Sequence, residues 1–89
     1  MTGSNKKLKL VLIEWEDSGV GFQGWKDVHT VSGELGICRS VGYLVKETKK
    51  CKVIFPHIDS HPGDDRLHGA GDMTIPCSAI LKMTELIPK

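Results

Sequence analysis

The chain has 89 residues, 39% of them hydrophobic and 26% charged, with a formal net charge of +1. That length holds one domain, in which folding buries roughly 60–65% of the surface the unfolded chain exposes, and the composition excludes a disordered segment or a membrane protein. So small a net charge supplies no general pull toward nucleic acid, and binding of that kind requires a local basic patch.

The longest apolar run, Leu10 to Ile13, is far too short to span a bilayer, and no charged stretch leads into a signal-peptide core, so the expected location is the cytoplasm. Cys38, Cys51 and Cys77 are odd in number and have no Cys-x-x-Cys spacing, which argues against a disulfide framework and against a structural zinc site. Reduced thiols are expected.

Residues 1–7 are polar and without periodicity, a flexible tail ahead of a single domain over residues 8–89. Leu8, Leu10 and Leu12 share one parity and Val11, Ile13 and Trp15 the other, the pattern of a strand covered on both faces. A domain this small rarely covers both faces of a strand by itself, which predicts self-association, most simply as a symmetric dimer. Asp17 to Gly21 is a turn by composition. Gly24 to Val31 alternates well enough for a second strand carrying Trp25, with a short helical turn over Asp27–Val31 as the alternative.

Gly36 to Thr48 reads as the long central strand. Ile37, Arg39, Val41, Tyr43 and Val45 fall on one parity, and Cys38, Ser40, Gly42 and Leu44 on the other. One face carries bulk, while the other admits a close neighbour or a bend at Gly42. Lys49-Lys50 make a hairpin tip into the strand Cys51–Phe55, which Pro56 ends. His57 to Asp72 is the longest stretch without a strand pattern and has the length of a functional loop. Met73–Ile75 resumes strand character, Pro76–Ala79 suits one tight helical turn, and Ile80–Ile87 closes the chain as a strand. The expected fold is all-β: a small antiparallel, partly open barrel of Sm-like character with at most one short helical turn.

The ordered set Glu14-Trp15-Glu16-Asp17, Gly24-Trp25, Arg39-Ser40-Val41-Gly42-Tyr43-Leu44-Val45 and Gly71-Asp72-Met73-Thr74-Ile75-Pro76, followed by Ala79-Ile80, resembles a family of small proteins encoded mainly by bacteriophages and prophages. The resemblance covers most of residues 8–87. It implies a phage context and a barrel-like fold, and it carries no catalytic residue with it.

His57, His61 and His68, with Asp59, Asp64, Asp65 and Asp72, have the donor types of a zinc or manganese site. Pro56, Pro62 and Gly63 rule out the helix that would align His57 with His61, so a solvated loop accounts for these residues better. No motif of a thiol or serine nucleophile surrounds any Cys, Ser40 or Ser78, and the formal Gly-x-Gly-x-x-Gly match at Gly19 precedes no helical pattern. Lys46, Lys49, Lys50 and Lys52 cluster on one hairpin, where they either touch phosphates or simply solvate the edge of a sheet.

Arg39 interrupts a strand face suited to burial. It either binds an anionic ligand, together with Ser40 and an aromatic partner, Trp25 or Tyr43, or holds a buried pair with Asp17, Asp72 or Glu14, whose loss costs roughly 3–5 kcal/mol. Trp15 and Trp25 are core anchors or, where exposed, a recognition surface. The expected function is that of a non-enzymatic phage accessory protein in the host cytoplasm, binding a host protein or a small anionic ligand such as a nucleotide, without a cofactor. The alternatives are a nucleic-acid-binding Sm-like barrel and, more distantly, a metal-dependent enzyme using the His/Asp loop.

Overall fold

The computed structural model describes residues 7–18 and 24–88. Within them the chain forms strands β1 (Lys9–Asp17), β2 (Gly36–Glu47), β3 (Cys51–Phe55), β4 (His57–Asp59), β5 (His68–Ala70), β6 (Met73–Pro76) and β7 (Ile80–Glu85). All pairings are antiparallel: five strands make one sheet in the order β6-β3-β2-β1-β7, and β4 and β5 make a separate two-stranded ribbon. Among the described residues no helix is long and apolar enough to cross a membrane.

The register of β1 on β2 sorts the side chains by face. Val11 lies opposite Gly42, Ile13 opposite Ser40 and Trp15 opposite Cys38, and these point inward. Val11, Ile13, Ile54 and Ile75 are fully buried, with Trp15, Leu44 and Ile80 packed against them. Ile75 sits on β6 and Val11 and Ile13 on β1, three strand spacings away in the sheet order. Flat, those strands would stand about 14 Å apart, so one shared cluster requires the sheet to curl onto its inner face. The Ser40 hydroxyl of β2 lies 3.7 Å from the Met73 sulfur of β6, two strands over, through the same curl.

Gly42 is buried, and a Cβ there would stand 3.0 Å from the Phe55 carbonyl oxygen and 3.1 Å from the Ile54 Cβ. Its role is close approach of β2 to β3; the irregularity in β2 comes slightly later, as a register shift between Leu44 and Lys46. A second shift, beside Glu14 and Trp15, leaves Leu81 as an extra residue of β7.

Three expectations need correction. Gly24–Val31 forms no strand; a 3-10 turn covers Val28–Thr30, because the Asp27 carboxylate accepts from the His29 amide at 3.0 Å and the Asp27 carbonyl accepts from the Thr30 hydroxyl at 2.7 Å. With the second 3-10 turn at Cys77–Ala79, the described residues hold two helical turns rather than one. The stretch His57–Asp72 holds β4 and β5, each three residues long and too short to show an alternation in sequence. Gly69 of β5 lies so close to the Phe55 ring that a side chain there would overlap it, so packing rather than pattern places this ribbon. Residues 1–6 of the expected tail and residues 19–23 of the expected turn and glycine motif lie outside the described residues.

Candidate functional site

The β1–β2 ladder positions most of the residues of interest. Glu14 lies opposite Arg39, and the Arg39 Nε donates to Glu14 Oε1 at 3.0 Å on the outer face of the sheet. The Arg39 side chain is 63% exposed, so the guanidinium is not buried as its strand pattern suggested. The outer face of β2 is open because nothing in the described residues covers that part of the sheet, and an exposed ion pair of this kind contributes ~1 kcal/mol or less. Arg39→Ala is therefore expected to shift the urea midpoint only slightly. A loss of several kcal/mol would show that the guanidinium is desolvated in solution.

Ser40 points the other way, into the interior, because successive strand residues alternate. Its hydroxyl accepts from the Trp15 indole N–H at 3.0 Å, which satisfies the one polar atom of a half-buried tryptophan. Trp15 is thus a core anchor. Tyr43 shares the Arg39 face but stands four residues along β2, about 13 Å away at the usual strand rise. Trp25 is fully exposed at 103% and has no packing role. Of the four residues, Arg39 and Tyr43 share a face, while Ser40 and Trp25 do not join them.

The histidines of the ribbon are spread out. His57 lies opposite Ala70 and His68 opposite Asp59, while His61 Nε2 stands 3.0 Å from Asp59 Oδ2 and His68 Nε2 shares a hydrogen bond with Asp64 Oδ2 at 3.2 Å. Asp64 also accepts from the Arg66 amide at 2.9 Å and from Arg66 Nε at 3.2 Å. The backbone donor, then the two side chains, hold its carboxyl below the usual carboxylate range. Among the described residues no three potential ligands converge on one point.

The Cys38 thiol lies 3.7 Å from Asp17 Oδ2. Removal from water, then the Asp17 charge, raise its pKa, which favours the thiol over the thiolate. Cys51 and Cys77 both border Thr48, which closes the hairpin by accepting from the amides of Lys50 and Cys51 through its hydroxyl.

Sequence reasoning on single residues missed two surfaces. The register places Leu10 beside Tyr43 and Leu12 beside Val41 on the outer face, an apolar row that continues to Ile37 past the Glu14–Arg39 pair. Ile37 and Val41 are 55% and 49% exposed. A cleft of about 660 Å³ adjoins this row, lined by Leu8, Leu10, Tyr43, Leu86, Ile87 and Pro88 among others. The parity of Leu10 and Leu12 signals such a face once β1 is known to pair with β2. The chain matches no protein-family model, no curated protein and no solved structure.

Proposed function

We propose that the chain is a non-enzymatic binding protein, a bacteriophage accessory factor acting in the host cytoplasm, and that it engages a protein partner through the outer face of β1–β2. The observation that carries this reading is the row Leu10, Leu12, Val41 and Tyr43, left partly open to solvent where four hydrophobic side chains among the described residues are fully buried. Contiguous exposed apolar surface rimmed by polar groups is characteristic of interaction sites. Glu14, Glu16, Arg39 and Lys82 supply such a rim here. The same face offers a symmetric dimer a self-complementary patch, in keeping with the apolar character of β1 on both parities.

The finer reading of the fold is a partly open barrel of Sm-like type. The pronounced curl supports it, as does the position of β6 and β7 at the two margins of the sheet, joined by a single 3-10 turn.

A photo-crosslinker at position 41, compared with one at Leu81, tests the binding reading in infected cells. The expected result is a discrete protein adduct from position 41 that disappears when Leu12→Glu is added. An adduct with a second copy identifies the dimer, to be matched by sedimentation that shifts to monomer in Leu12→Glu. No adduct from position 41, with only monomer at high micromolar concentration, overturns the proposal.

A further inference from the structure

We propose that the end of the domain where β1 begins and β2 finishes binds a phosphate-bearing ligand, with lysines on the phosphate and Tyr43 against an apolar or aromatic part. Charge is segregated along β1: Lys9 opens the strand, and Glu14, Glu16 and Asp17 close it. The strand spans about 25 Å, well beyond the Debye length of ~8 Å at physiological ionic strength. The basic end therefore acts on a ligand by itself, and the net charge of +1 conceals it.

Lys7, Lys9, Lys46, Lys49 and Lys50 gather at this end and have no ion-pair partner among the described residues. Glu47 is internally neutralised. A hydrogen bond from Lys52 and the attraction of its charge hold the Glu47 carboxyl below its usual range, and Lys9 adds to the effect. Lysines on sheet edges guard against aggregation, but Lys9 and Lys46 belong to or lie beside β1 and β2, which are interior strands, with β6 and β7 at the margins. Edge protection does not account for them.

Two clefts meet on the segment Lys7–Lys9. One, of about 270 Å³, is lined by Lys7, Lys9 and Lys46 with Glu47 and the aliphatic Leu44 and Val45. The other, of about 660 Å³, is lined mostly by apolar groups around Tyr43, with Lys7, Lys9 and the carboxylate-bearing Glu85 at its border, so a phosphate is favoured on the lysine side and the uncharged part of the ligand on the Glu85 side. Ammonium groups are point donors well suited to a doubly charged phosphate, and a tyrosine ring beside aliphatic side chains accepts a planar or hydrocarbon group. Lys7 and Lys9 line both clefts, so the lysines that would meet the phosphate also border the cleft that holds Tyr43. This site does not depend on the protein-binding reading, although Leu10 and Tyr43 border both surfaces.

Titration calorimetry on the full chain at about 50 mM salt, where phosphate contacts are strong, tests the site with three probes: pyrophosphate, ADP and a short oligothymidylate. ADP is expected to bind more tightly than pyrophosphate. Lys9→Gln and Lys46→Gln should each weaken both by about tenfold, the loss of one charge-assisted contact. Tyr43→Leu should weaken ADP and leave pyrophosphate unchanged. A nucleic-acid source is indicated if the oligonucleotide binds more tightly than ADP, with a log–log salt slope on the order of −2 for three lysines on a single strand; a free nucleotide is indicated if ADP is tighter. Lys9 and Lys46 are solvent-exposed and Tyr43 is half-buried, and thermal melts of all three variants check that the fold is kept. No binding of any probe at millimolar concentration, or an affinity unchanged in the Lys9→Gln/Lys46→Gln double variant, overturns the proposal.

Discussion

Ile13→Ala is expected to remove roughly 2–5 kcal/mol of stability, the range for deleting a large aliphatic side chain from a core that relaxes only in part. Ile13 is 0% exposed and belongs to the central cluster with Val11, Ile54 and Ile75. The domain cannot compensate elsewhere, since those four are its fully buried hydrophobic residues among those described. At roughly 0.05–0.15 kcal/mol per residue, total stability for a chain of this length is on the order of 5–13 kcal/mol. One alanine therefore removes a large share of it. Urea denaturation of Ile13→Ala beside Leu81→Ala checks the expectation: the transition midpoint of the first should fall by a large share, while the second, at a site 54% exposed, should change little. Equal losses at the two sites would show that the inner face is not the core.

Gly42→Ala is the second large effect, and its cause is the opposite one. The new Cβ would lie 3.0 Å from the Phe55 carbonyl oxygen and 3.1 Å from both the Phe55 carbonyl carbon and the Ile54 Cβ. Two of the three atoms are backbone, so no rotamer change relieves the contact, and β3 must move away from β2. Overpacking of this kind costs about 1–3 kcal/mol, which for a domain of this size lowers Tm by roughly 5–20 °C. Gly36→Ala is the control, because nothing lies within 4 Å of a Cβ at that position. A thermal melt in which Gly42→Ala and Gly36→Ala behave alike would show that β3 leaves room for a side chain at position 42.

The two variants together bear on function. Both the proposed protein-binding row and the proposed phosphate site are laid out by β1 and β2, so a change that shifts this ladder disturbs both surfaces at once. Leu12→Glu and Lys9→Gln, on exposed or half-buried positions, disturb one surface each. Binding measurements on those variants are therefore interpretable only beside melts showing an intact ladder.

Much of the fold was legible from local pattern. The alternation over Leu8–Trp15 and Ile37–Val45 located β1 and β2, Pro56 marked the end of β3, and Pro76-Cys77-Ser78-Ala79 marked the 3-10 turn before β7. Period-two alternation reports which residues share a face, and proline reports where a ladder donor is lost, without any knowledge of neighbours. The small parity of β2 correctly signalled a close approach, because a glycine amid strand residues leaves room for another backbone, and the structure names that backbone as Phe55.

Arg39 shows where local pattern runs out. Its parity places it among bulky residues, a pattern that suggests burial; the structure turns that face outward and sets Glu14 beside it. A strand's pattern distinguishes its two faces but does not say which one the curling sheet encloses. That depends on which face Ile54 and Ile75 present from strands distant in sequence. For the same reason Lys7 and Lys9 could not be joined to Lys46, nor Leu10 to Tyr43, before the register of β1 on β2 was known. The amino-acid sequence by itself determined the strand-rich class, most strand positions and the residues able to sit together on one face. Only the tertiary structure decided which face is inside and which distant charges and apolar groups meet, because both follow from long-range strand pairing and curl, and neither leaves a period in the chain.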